Sequence, residues 1–491
     1  MNDDLCFRPA VDVAALVRKG DVSPVELATA YLDRIDRLDP ALGAYFTVAA
    51  DTALSTAARA EAEAVRARRE GGADSLPPLL GVPVSIKDLN DTAGIRTTHG
   101  SRLFADNVPV DDDATVSRIR AAGAVVLGKT AVPEFGWSFV SEAPAFSPAR
   151  NPWDPQHTPG GSSGGAAAAL AAGLCALSQG SDAGGSIRVP SSFTNLFGIK
   201  PSRGRVPDSP HPARLLWQNG PIARTVEDAA VTLDVLAGYS WGDPWWAPEP
   251  ARPFRAEVGA DPGRLRVACS FGGAEVAAGN RAAVQAAAEL LCELGHVVVD
   301  ADPVPDWAVT SEGAVEPAAL AFVGVQVSQH PGLPLADEID LEALDPSNRR
   351  YLEAASGLRA VDYARMWDAL AVRARAVVSF FDRFDMLLTP TVAGPPLPVG
   401  AFRDGPVEAM LLAWYRMAPF TSLWNITGQP AVSVPMGFDE AGLPTGVQLV
   451  GRPAAEATLI RASAQLEAAR PWADRRPPTA AVRDIVANGV T

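Results

Sequence analysis

Apolar residues near the start of the chain recur with the period of a helix. Ser23 and Glu26 have the spacing of a capping box around Pro24, and apolar residues then share one face at positions 28, 31, 32 and 35. Pro40 predicts the end of this helix, because proline lacks the amide hydrogen that a further turn needs. The fold is therefore expected to begin with an amphipathic helix.

Helical patterns and short apolar runs then alternate along the chain. A second helix is expected at about 51–70 and a strand at 79–86, and the segment 113–129 repeats the order of helix and strand. Alternation of this kind is typical of α/β architecture. The pattern continues later with one βαβ unit, formed by a strand at 265–269, a helix at 284–291 and a strand at 297–299. Further strands are expected at 385–388 and 431–435, and a final helix at about 456–470.

Composition and charge narrow the class of protein. Hydrophobic residues make up 47% of the 491 positions and charged residues 20%, which indicates a globular protein and excludes collagen, coiled coil and disorder. The formal net charge is −15, and an acidic protein repels phosphate backbones and anionic lipids. We therefore expect no nucleic acid and no membrane as partners. The acidic start and the lack of a long apolar run indicate a cytoplasmic protein.

Two glycine-dense loops carry serines at their centres. They are TPGGSSGG at 158–165 and GSDAGGSIRVP at 180–190, and the apolar run 164–177 between them has the length of a buried helix. Glycine permits close backbone approach, so such loops can expose a serine hydroxyl beside N–H groups that hold an oxyanion. Ordinary turns and phosphate binding are the alternatives, although neither loop has the spacing of a P-loop or a dinucleotide motif.

A nucleophilic serine needs a base. The five histidines form no H-E-x-x-H motif, and the four cysteines are too scattered for a zinc site or a disulfide framework. Lys87 is the better candidate, because it follows an apolar strand where burial would disfavour the ammonium form. A solvated charge at the strand end is the alternative. No metal and no cofactor are expected.

Three segments, taken together, resemble one known family. Lys87 after GVPVSI, GGSSGG at 160–165 and DAGGSIR at 182–188 resemble the amidase signature family. The resemblance covers about residues 16–471 and extends to several further segments. These are GKT at 128–130 with Glu134, GIKPSRGRVP at 198–207, GPIARTVEDAA at 220–230, LLTPT at 387–391 and NITGQPAVSVPMG at 425–437.

The resemblance implies a catalytic triad without histidine. Ser186 would be the nucleophile, Ser162 the middle residue on a cis peptide bond, and Lys87 the base. It further implies an oxyanion hole of backbone N–H groups and supporting residues around both serines. The implied hole is formed by Ala183, Gly184, Gly185 and Ser186, and the supporting residues are Ser163, Asp182 and Arg188.

The implied fold is a single large α/β/α sandwich with a mixed central β-sheet. Within one amidase domain spanning 1–491 we expect four regions. They are N-terminal helices at 1–70, a catalytic signature core at 71–240, a variable α/β region at 241–384 and a return to the core sheet at 385–491. The segment 241–254, rich in proline and tryptophan, marks the boundary to the variable region.

The implied activity is hydrolysis of a small-molecule carboxylic amide to acid and amine. The chain resembles bacterial amidases that act on small, cyclic or oligomeric amides, including nylon-type cyclic dimers, and on aryl amides. Phe135, Trp137 and Trp424 are candidate pocket residues, although packing in a large core explains each of them equally well. Dimers are frequent among relatives, so a homodimer is a candidate assembly.

Two other functions stay open at this point. One is the glutaminase chain of the tRNA-dependent glutamine/asparagine amidotransferase, which would hydrolyse glutamine and pass ammonia to a partner complex. The segment 385–428 does not resemble that chain. The other is a non-catalytic binding protein on the same fold, and the intact set of Lys87, Ser162 and Ser186 argues against it.

Overall fold

The computed structural model describes residues 3–210, 215–304, 340–356, 359–401 and 407–478. The strands of these residues form one sheet. They are β1 (Tyr45–Val48), β2 (Pro83–Lys87), β3 (Val125–Thr130), β4 (Leu177–Asp182), β5 (Phe197–Lys200), β6 (Gln218–Ala223), β7 (Arg266–Cys269), β8 (Val297–Asp300), β9 (Met386–Pro390), β10 (Ala431–Phe438) and β11 (Pro444–Gly451). Their spatial order is β1-β3-β2-β4-β6-β5-β10-β11-β9-β7-β8.

Helices flank this sheet. They are α1 (Ala10–Lys19), α2 (Pro24–Leu42), α3 (Ala50–Glu70), α4 (Ala114–Ala121), α5 (Gly164–Ala171), α6 (Arg188–Phe193), α7 (Val226–Leu236), α8 (Ala278–Glu293), α9 (Pro346–Ser356), α10 (Ala360–Phe380), α11 (Val407–Met417), α12 (Leu423–Thr427) and α13 (Glu456–Ala469). Across the described residues, none of the helices is both long and apolar enough to cross a lipid bilayer.

Parallel and antiparallel strand pairs both occur in the sheet. β2 runs parallel to β3 and β4, and β7 runs parallel to β8 and β9. Antiparallel pairs through β6, β5, β10 and β11 join these two groups. The predicted α/β/α sandwich with a mixed central sheet is confirmed. Because β7 and β8 continue the same sheet, the segment 241–254 connects two parts of one core.

The predicted end of the first amphipathic helix is wrong. The capping box forms as expected, with Ser23 Oγ accepting the N–H groups of Val25 and Glu26. The helix α2 nevertheless continues through Pro40 to Leu42. Proline in the last turn removes only one amide donor. Gly43 ends the helix instead, since it adopts a φ of 57° and donates its N–H to Asp39 O at 2.7 Å.

Two predictions for apolar segments are also wrong in extent. The strand expected at 79–86 begins only at Pro83, and the run 164–177 is not one helix. α5 covers eight residues of that run and β4 begins at its end, so residues 180–182 belong to a strand and not to the second glycine-dense loop. A run of buried apolar residues carries no periodicity that separates helix from strand, which explains both errors.

α5 places the first glycine-dense loop at the end of the sheet. All of its residues are buried. Gly165 donates its N–H to Ala131 O at 3.1 Å, and a Cβ at Gly165 would lie only 2.4 Å from Ala131 N. Only glycine permits this approach. The start of α5 is thereby held against the residue that follows β3, next to the end of β2.

Two partly buried carboxyl groups are expected to make stability depend on pH. Burial raises the pKa of Asp39, at the end of α2, to about 7 and that of Glu467, on α13, to about 7. Each carboxyl group has a lower pKa in the unfolded chain than in the folded protein. Between these two pKa values the group is ionised when the chain is unfolded and protonated when it is folded, so folding favours the protonated form. The free energy of unfolding should therefore fall as pH rises from about 4 through 7, by up to about 1.4 kcal/mol for each tenfold change in proton affinity.

Calorimetry between pH 5 and pH 8 measures this effect. The variant Asp39→Asn should flatten the fall of the unfolding temperature, because it removes one of the two titrating groups. Asp33→Asn, at an exposed position on the same helix, is the matched control. Identical slopes for Asp39→Asn and the parent protein would contradict the prediction.

Candidate active site

Lys87 ends β2 and its side chain is completely buried. Its Nζ lies 2.7 Å from Ser162 Oγ and donates to Ser181 O at 3.2 Å. Its backbone N–H donates to Gln179 Oε1 on β4, also at 3.2 Å. The same Nζ lies 5.6 Å from the ring centroid of Trp217. The amine is therefore in direct contact with the Ser162 hydroxyl at a place shielded from solvent.

Hydrogen bonds of Ser163, the residue after Ser162, connect the first glycine-dense loop to the second. The peptide bond between Gly161 and Ser162 is cis, as the resemblance implied. Ser163 donates its N–H to Ser186 O at 3.2 Å and its hydroxyl to Ser181 O at 3.1 Å, and its Oγ accepts the N–H of Ser181 at 3.3 Å. Ser163 thus fastens the backbone at Ser186 directly beside Ser162.

Ser186 lies between β4 and α6, in a loop shaped by a buried ion pair. Arg188 donates from Nε and Nη2 to the two carboxylate oxygens of Asp182, at 3.0 and 2.8 Å. Both side chains are completely buried. Burial acts to raise the pKa of Asp182, but the charge and hydrogen bonds of Arg188, together with Lys200 and Asn425, outweigh it and hold the pKa below its ordinary value. The carboxylate therefore stays ionised and fixes the loop around Ser186.

The backbone N–H groups of this loop do not all point to the same place. Gly185 donates its N–H to Asp182 Oδ1 at 2.7 Å, so this group is already used inside the loop. Of the four donors in the expected oxyanion hole, Ala183, Gly184 and Ser186 remain. Gly185 has a φ of 143°, and a Cβ there would lie 2.6 Å from Thr421 Oγ1, which explains why glycine occupies the position.

A segment that is distant in the sequence, just before α12, holds the same loop in place through hydrogen bonds. Thr421 and Ser422 both donate their hydroxyls to Gly184 O, at 2.5 and 3.1 Å. Arg188 extends the contact by donating to Asn425 Oδ1 at 2.6 Å and to Gln448 Oε1 at 2.7 Å. The sequence motifs indicated no role for Thr421, Ser422 or Gln448. The segment NITGQPAVSVPMG pointed to Asn425, but Thr421 lies 237 residues from its partner and carries no local pattern.

Lys129 was also missed as a positioning residue. Its Nζ is buried, donates to Asn90 O, and lies 3.0 Å from Thr92 Oγ1 and 2.8 Å from Thr97 Oγ1. Burial lowers the pKa of Lys129 to about 8. These bonds hold the segment that follows Lys87. The GKT motif drew attention to this lysine but did not indicate its contacts.

The structure brings two of the three candidate aromatic residues together. The rings of Phe135 and Trp137 have centroids 5.1 Å apart, and a Cβ on the intervening Gly136 would lie 3.3 Å from Ser162 Oγ. Trp424 lies elsewhere. It belongs to a different buried cluster, donates its indole N–H to Phe420 O at 2.7 Å and packs against Phe381. For Trp424, core packing is therefore the better explanation.

Acid, thiol and imidazole side chains do not gather as a metal site would require. Within the described ranges, no three His, Cys, Asp or Glu side chains approach closely enough to bind a metal ion. What the site offers chemically is a buried amine, hydroxyl groups and oriented backbone N–H groups.

Known proteins with similar sequence provide an independent comparison. The family model described as Amidase matches residues 26–460. The putative amidase AmiB2 of Mycobacterium tuberculosis is 42% identical over 488 residues, covering 96% of this chain and 98% of the relative. A glutamyl-tRNA(Gln) amidotransferase chain of Moorella thermoacetica is 36% identical over 495 residues, covering 96% of this chain and 99% of the relative.

Solved structures agree with the sequence comparison. The 6-aminohexanoate cyclic dimer hydrolase superposes with a TM-score of 0.84 at 31% identity, covering 96% of this chain and 99% of the neighbour. A bacterial aryl acylamidase of the amidase signature family has a TM-score of 0.83 at 28% identity, with coverage of 97% and 98%. The resemblance inferred from the motifs is confirmed. The chain belongs to the amidase signature family, whose members are hydrolases of amide C–N bonds.

Proposed function

We propose that this protein hydrolyses a small or oligomeric alkyl or aryl amide to acid and amine, using Ser186, Ser162 and Lys87. The observation that carries the proposal is the distance of 2.7 Å between Lys87 Nζ and Ser162 Oγ in a pair shielded from solvent. Burial disfavours a lone ammonium ion, so the lysine there is suited to accept a proton. Ser163, the residue after Ser162, donates its N–H to the carbonyl of Ser186 and so holds the Ser186 backbone near this pair.

The hydrogen bonds around Lys87 suit the neutral amine. A neutral amine has two N–H groups and one lone pair, and Ser181 O accepts one of the N–H groups at 3.2 Å. The lone pair then faces the hydroxyl of Ser162. Ser162 gives its proton to Lys87 and takes the proton of Ser186, which activates the Ser186 oxygen without a histidine.

The reaction then follows the two halves of acyl transfer. Ser186 Oγ attacks the amide carbon, and the N–H groups of Ala183, Gly184 and Ser186 hold the resulting oxyanion. Ser162 returns a proton to the leaving nitrogen, the C–N bond breaks, and the amine departs. Water attacks the acyl-enzyme and gives a proton to the relay, after which Ser186 recovers its proton and the acid is released.

A substrate screen combined with covalent labelling tests this proposal. Purified protein is offered simple amides, anilides, lactam oligomers, esters and glutamine, and is separately treated with a fluorophosphonate. We expect amide turnover and a single labelled peptide that contains Ser186. Labelling confined to another residue, or no turnover of any amide, would contradict the proposed activity.

A glutaminase acting in an amidotransferase is the second candidate. It is favoured by the 36% identity with the amidotransferase chain of Moorella thermoacetica across nearly the whole length. The same screen separates the two functions. Turnover of glutamine in preference to every other amide would support the second candidate, whereas turnover of anilides or lactam oligomers by the isolated chain supports the first.

Thr421 is expected to act as a positioning residue for the oxyanion hole. Its hydroxyl holds the carbonyl of Gly184, in the backbone between the proposed N–H donors of Gly184 and Ser186. Thr421→Val removes this bond at nearly constant volume and should lower kcat by about 10- to 100-fold, because small displacements in a reactive geometry are costly. KM should change little. Thr421→Ser keeps the hydroxyl and should restore most of kcat; equal losses in both variants would assign Thr421 a packing role only.

A further inference from the structure

A cavity of about 370 Å³ lies beside the proposed active site. It is formed where the segment after β3 faces the start of α9 and the end of α11. Trp137 lines it, and Gly136, one residue earlier in the chain, is the residue that lies against Ser162 Oγ. The wall of this cavity is therefore continuous with the segment that covers the proposed relay.

The chemistry of the walls combines aromatic rings with carboxylates. Trp137, Tyr351 and Trp414 provide large π faces, and the rings of Tyr351 and Trp414 have centroids 5.9 Å apart. Three acids, Glu134, Glu142 and Asp345, also line the cavity, and the Glu142 carboxylate accepts the N–H of Gly400 at 3.0 Å. Among the described residues that line it there is no lysine, arginine or histidine. Aromatic faces and carboxylates both attract cations.

Glu134 and Asp345 are neighbouring acids that have only neutral partners. Glu134 accepts hydrogen bonds from Ser101 Oγ at 2.7 Å, from the N–H of Asp345 at 2.8 Å and from Asn348 Nδ2 at 2.9 Å. The Asp345 carboxylate accepts the N–H of Ser347, in the first turn of α9, at 2.8 Å, and the dipole of that helix offsets part of its charge. Within the described chain, neither carboxylate forms an ion pair.

Glu134 is the more deeply buried of these two acids. The side chain is only 3% exposed. Burial, and to a smaller extent the nearby Asp345, raises its pKa, although its hydrogen bonds oppose this. Arg96 lies 5.8 Å from the centroid of the lining ring Phe146 but forms no ion pair with either acid. A cation that entered the cavity would meet three carboxyl groups and several aromatic faces.

We propose that this cavity binds a primary alkylammonium group carried by the amide substrate. The inference rests on the proposed hydrolase, and it narrows the substrate class to amides that carry a cationic amine. A neutral alkyl chain would gain the apolar contacts of the rings but not the attraction of Glu134 and Asp345. The cavity should therefore discriminate between an ammonium group and a hydroxyl group of the same size.

Binding is measured first, in a protein that cannot turn over substrate. Isothermal titration of the full-length Ser186→Ala protein compares n-butylammonium chloride with 1-butanol, which has the same chain length. We expect the ammonium ion to bind at least about tenfold more tightly, as for a cation desolvated against aromatic faces. Equal affinities, or no binding of the ammonium ion, would overturn the proposal.

Two charge-removing variants locate the site. Glu134→Gln and Asp345→Asn, each made in the Ser186→Ala protein, should reduce the preference for the ammonium ion by several-fold or more. Asn348 and Ser101 can still hydrogen-bond to glutamine, and unfolding temperatures check that each variant folds. Glu289→Gln, an exposed acid on α8, is the matched control and should keep the preference. A preference that survives in both cavity variants would place the cation elsewhere and overturn the proposal.

Turnover by the protein with Ser186 intact then tests the link to the substrate. Two anilides are compared, whose acyl chains have equal length and end in an ammonium or a hydroxyl group. The ratio of their kcat/KM values should favour the ammonium compound about tenfold and fall towards one in Glu134→Gln. Equal values in the parent protein would overturn the substrate assignment. If neither anilide is hydrolysed although the ammonium ion binds, the proposed hydrolase fails while the cation site stands.

Discussion

Replacing Ser186 by alanine should lower kcat/KM for any amide substrate by about 10⁶-fold, the scale on which loss of a nucleophile acts in other serine hydrolases. The relay from Lys87 through Ser162 would still exist but would activate no oxygen. The loop should keep its shape, because Asp182, Arg188 and Ser163 hold it through bonds that do not use the Ser186 hydroxyl. Steady-state kinetics and fluorophosphonate labelling measure the effect.

Ser192 provides a matched control for this substitution. It lies on α6, is buried, and its hydroxyl makes no hydrogen bond within the described part of the chain. Ser192→Ala should therefore leave kcat/KM within about a factor of three of the parent value, as a change of less than about 1 kcal/mol allows. If Ser186→Ala retained activity at the level of this control, Ser186 would not be the nucleophile.

Replacing Lys87 by methionine should lower kcat by about 10⁴-fold, the upper range for loss of a general base. Methionine keeps most of the apolar stem and removes only the amine that contacts Ser162. Ser181 O, the other partner of the amine, keeps the hydrogen bond from Ser163 Oγ at 3.1 Å. The variant should therefore fold, and its unfolding temperature is compared with that of Lys19→Met, at the exposed end of α1.

The pH profile gives a second readout of the same role. In the proposed mechanism Lys87 acts as the neutral amine, so kcat/KM of the parent protein is expected to rise with pH. In Lys87→Met the residual activity should lose this dependence. A variant that unfolds, or one that keeps both its activity and its pH profile, would show that Lys87 supports the structure and does not act as a base.

The pattern of apolar and polar residues predicted those helices and strands whose formation depends mainly on residues close to each other in the sequence. The helix α3 and the unit of β7, α8 and β8 were recognised because their apolar periodicity is regular, and β7 and β8 pair in parallel as expected. The short strands β1, β5 and β6 were not predicted, since they have four to six residues and no alternation of apolar and polar positions. Their pairing depends on the rest of the sheet.

The residues of the candidate site also fall into two groups, those that a local motif identifies and those that only the tertiary structure identifies. Lys87, Ser162 and Ser186 were selected because each lies in a recognisable motif, and the structure places Lys87 in contact with Ser162. The clamp by Thr421 was missed because its contact joins segments more than 200 residues apart. Trp424 was chosen for its aromatic ring, but sequence does not tell a pocket wall from a packed core, and here the ring is completely buried.

Arg188 forms hydrogen bonds with residues far away in the sequence, and this affects when the candidate site can form during protein synthesis. Its guanidinium joins the loop after β4 to Asn425 and Gln448, which the ribosome delivers some 240 to 260 residues later. A nascent chain that has emerged only as far as α8 already contains Lys87, Ser162 and Ser186 but lacks the residues that hold Arg188 in place. Contacts of such large sequence separation form late in folding. We therefore expect the geometry that the proposed hydrolysis requires to arise only after β11 has been synthesised.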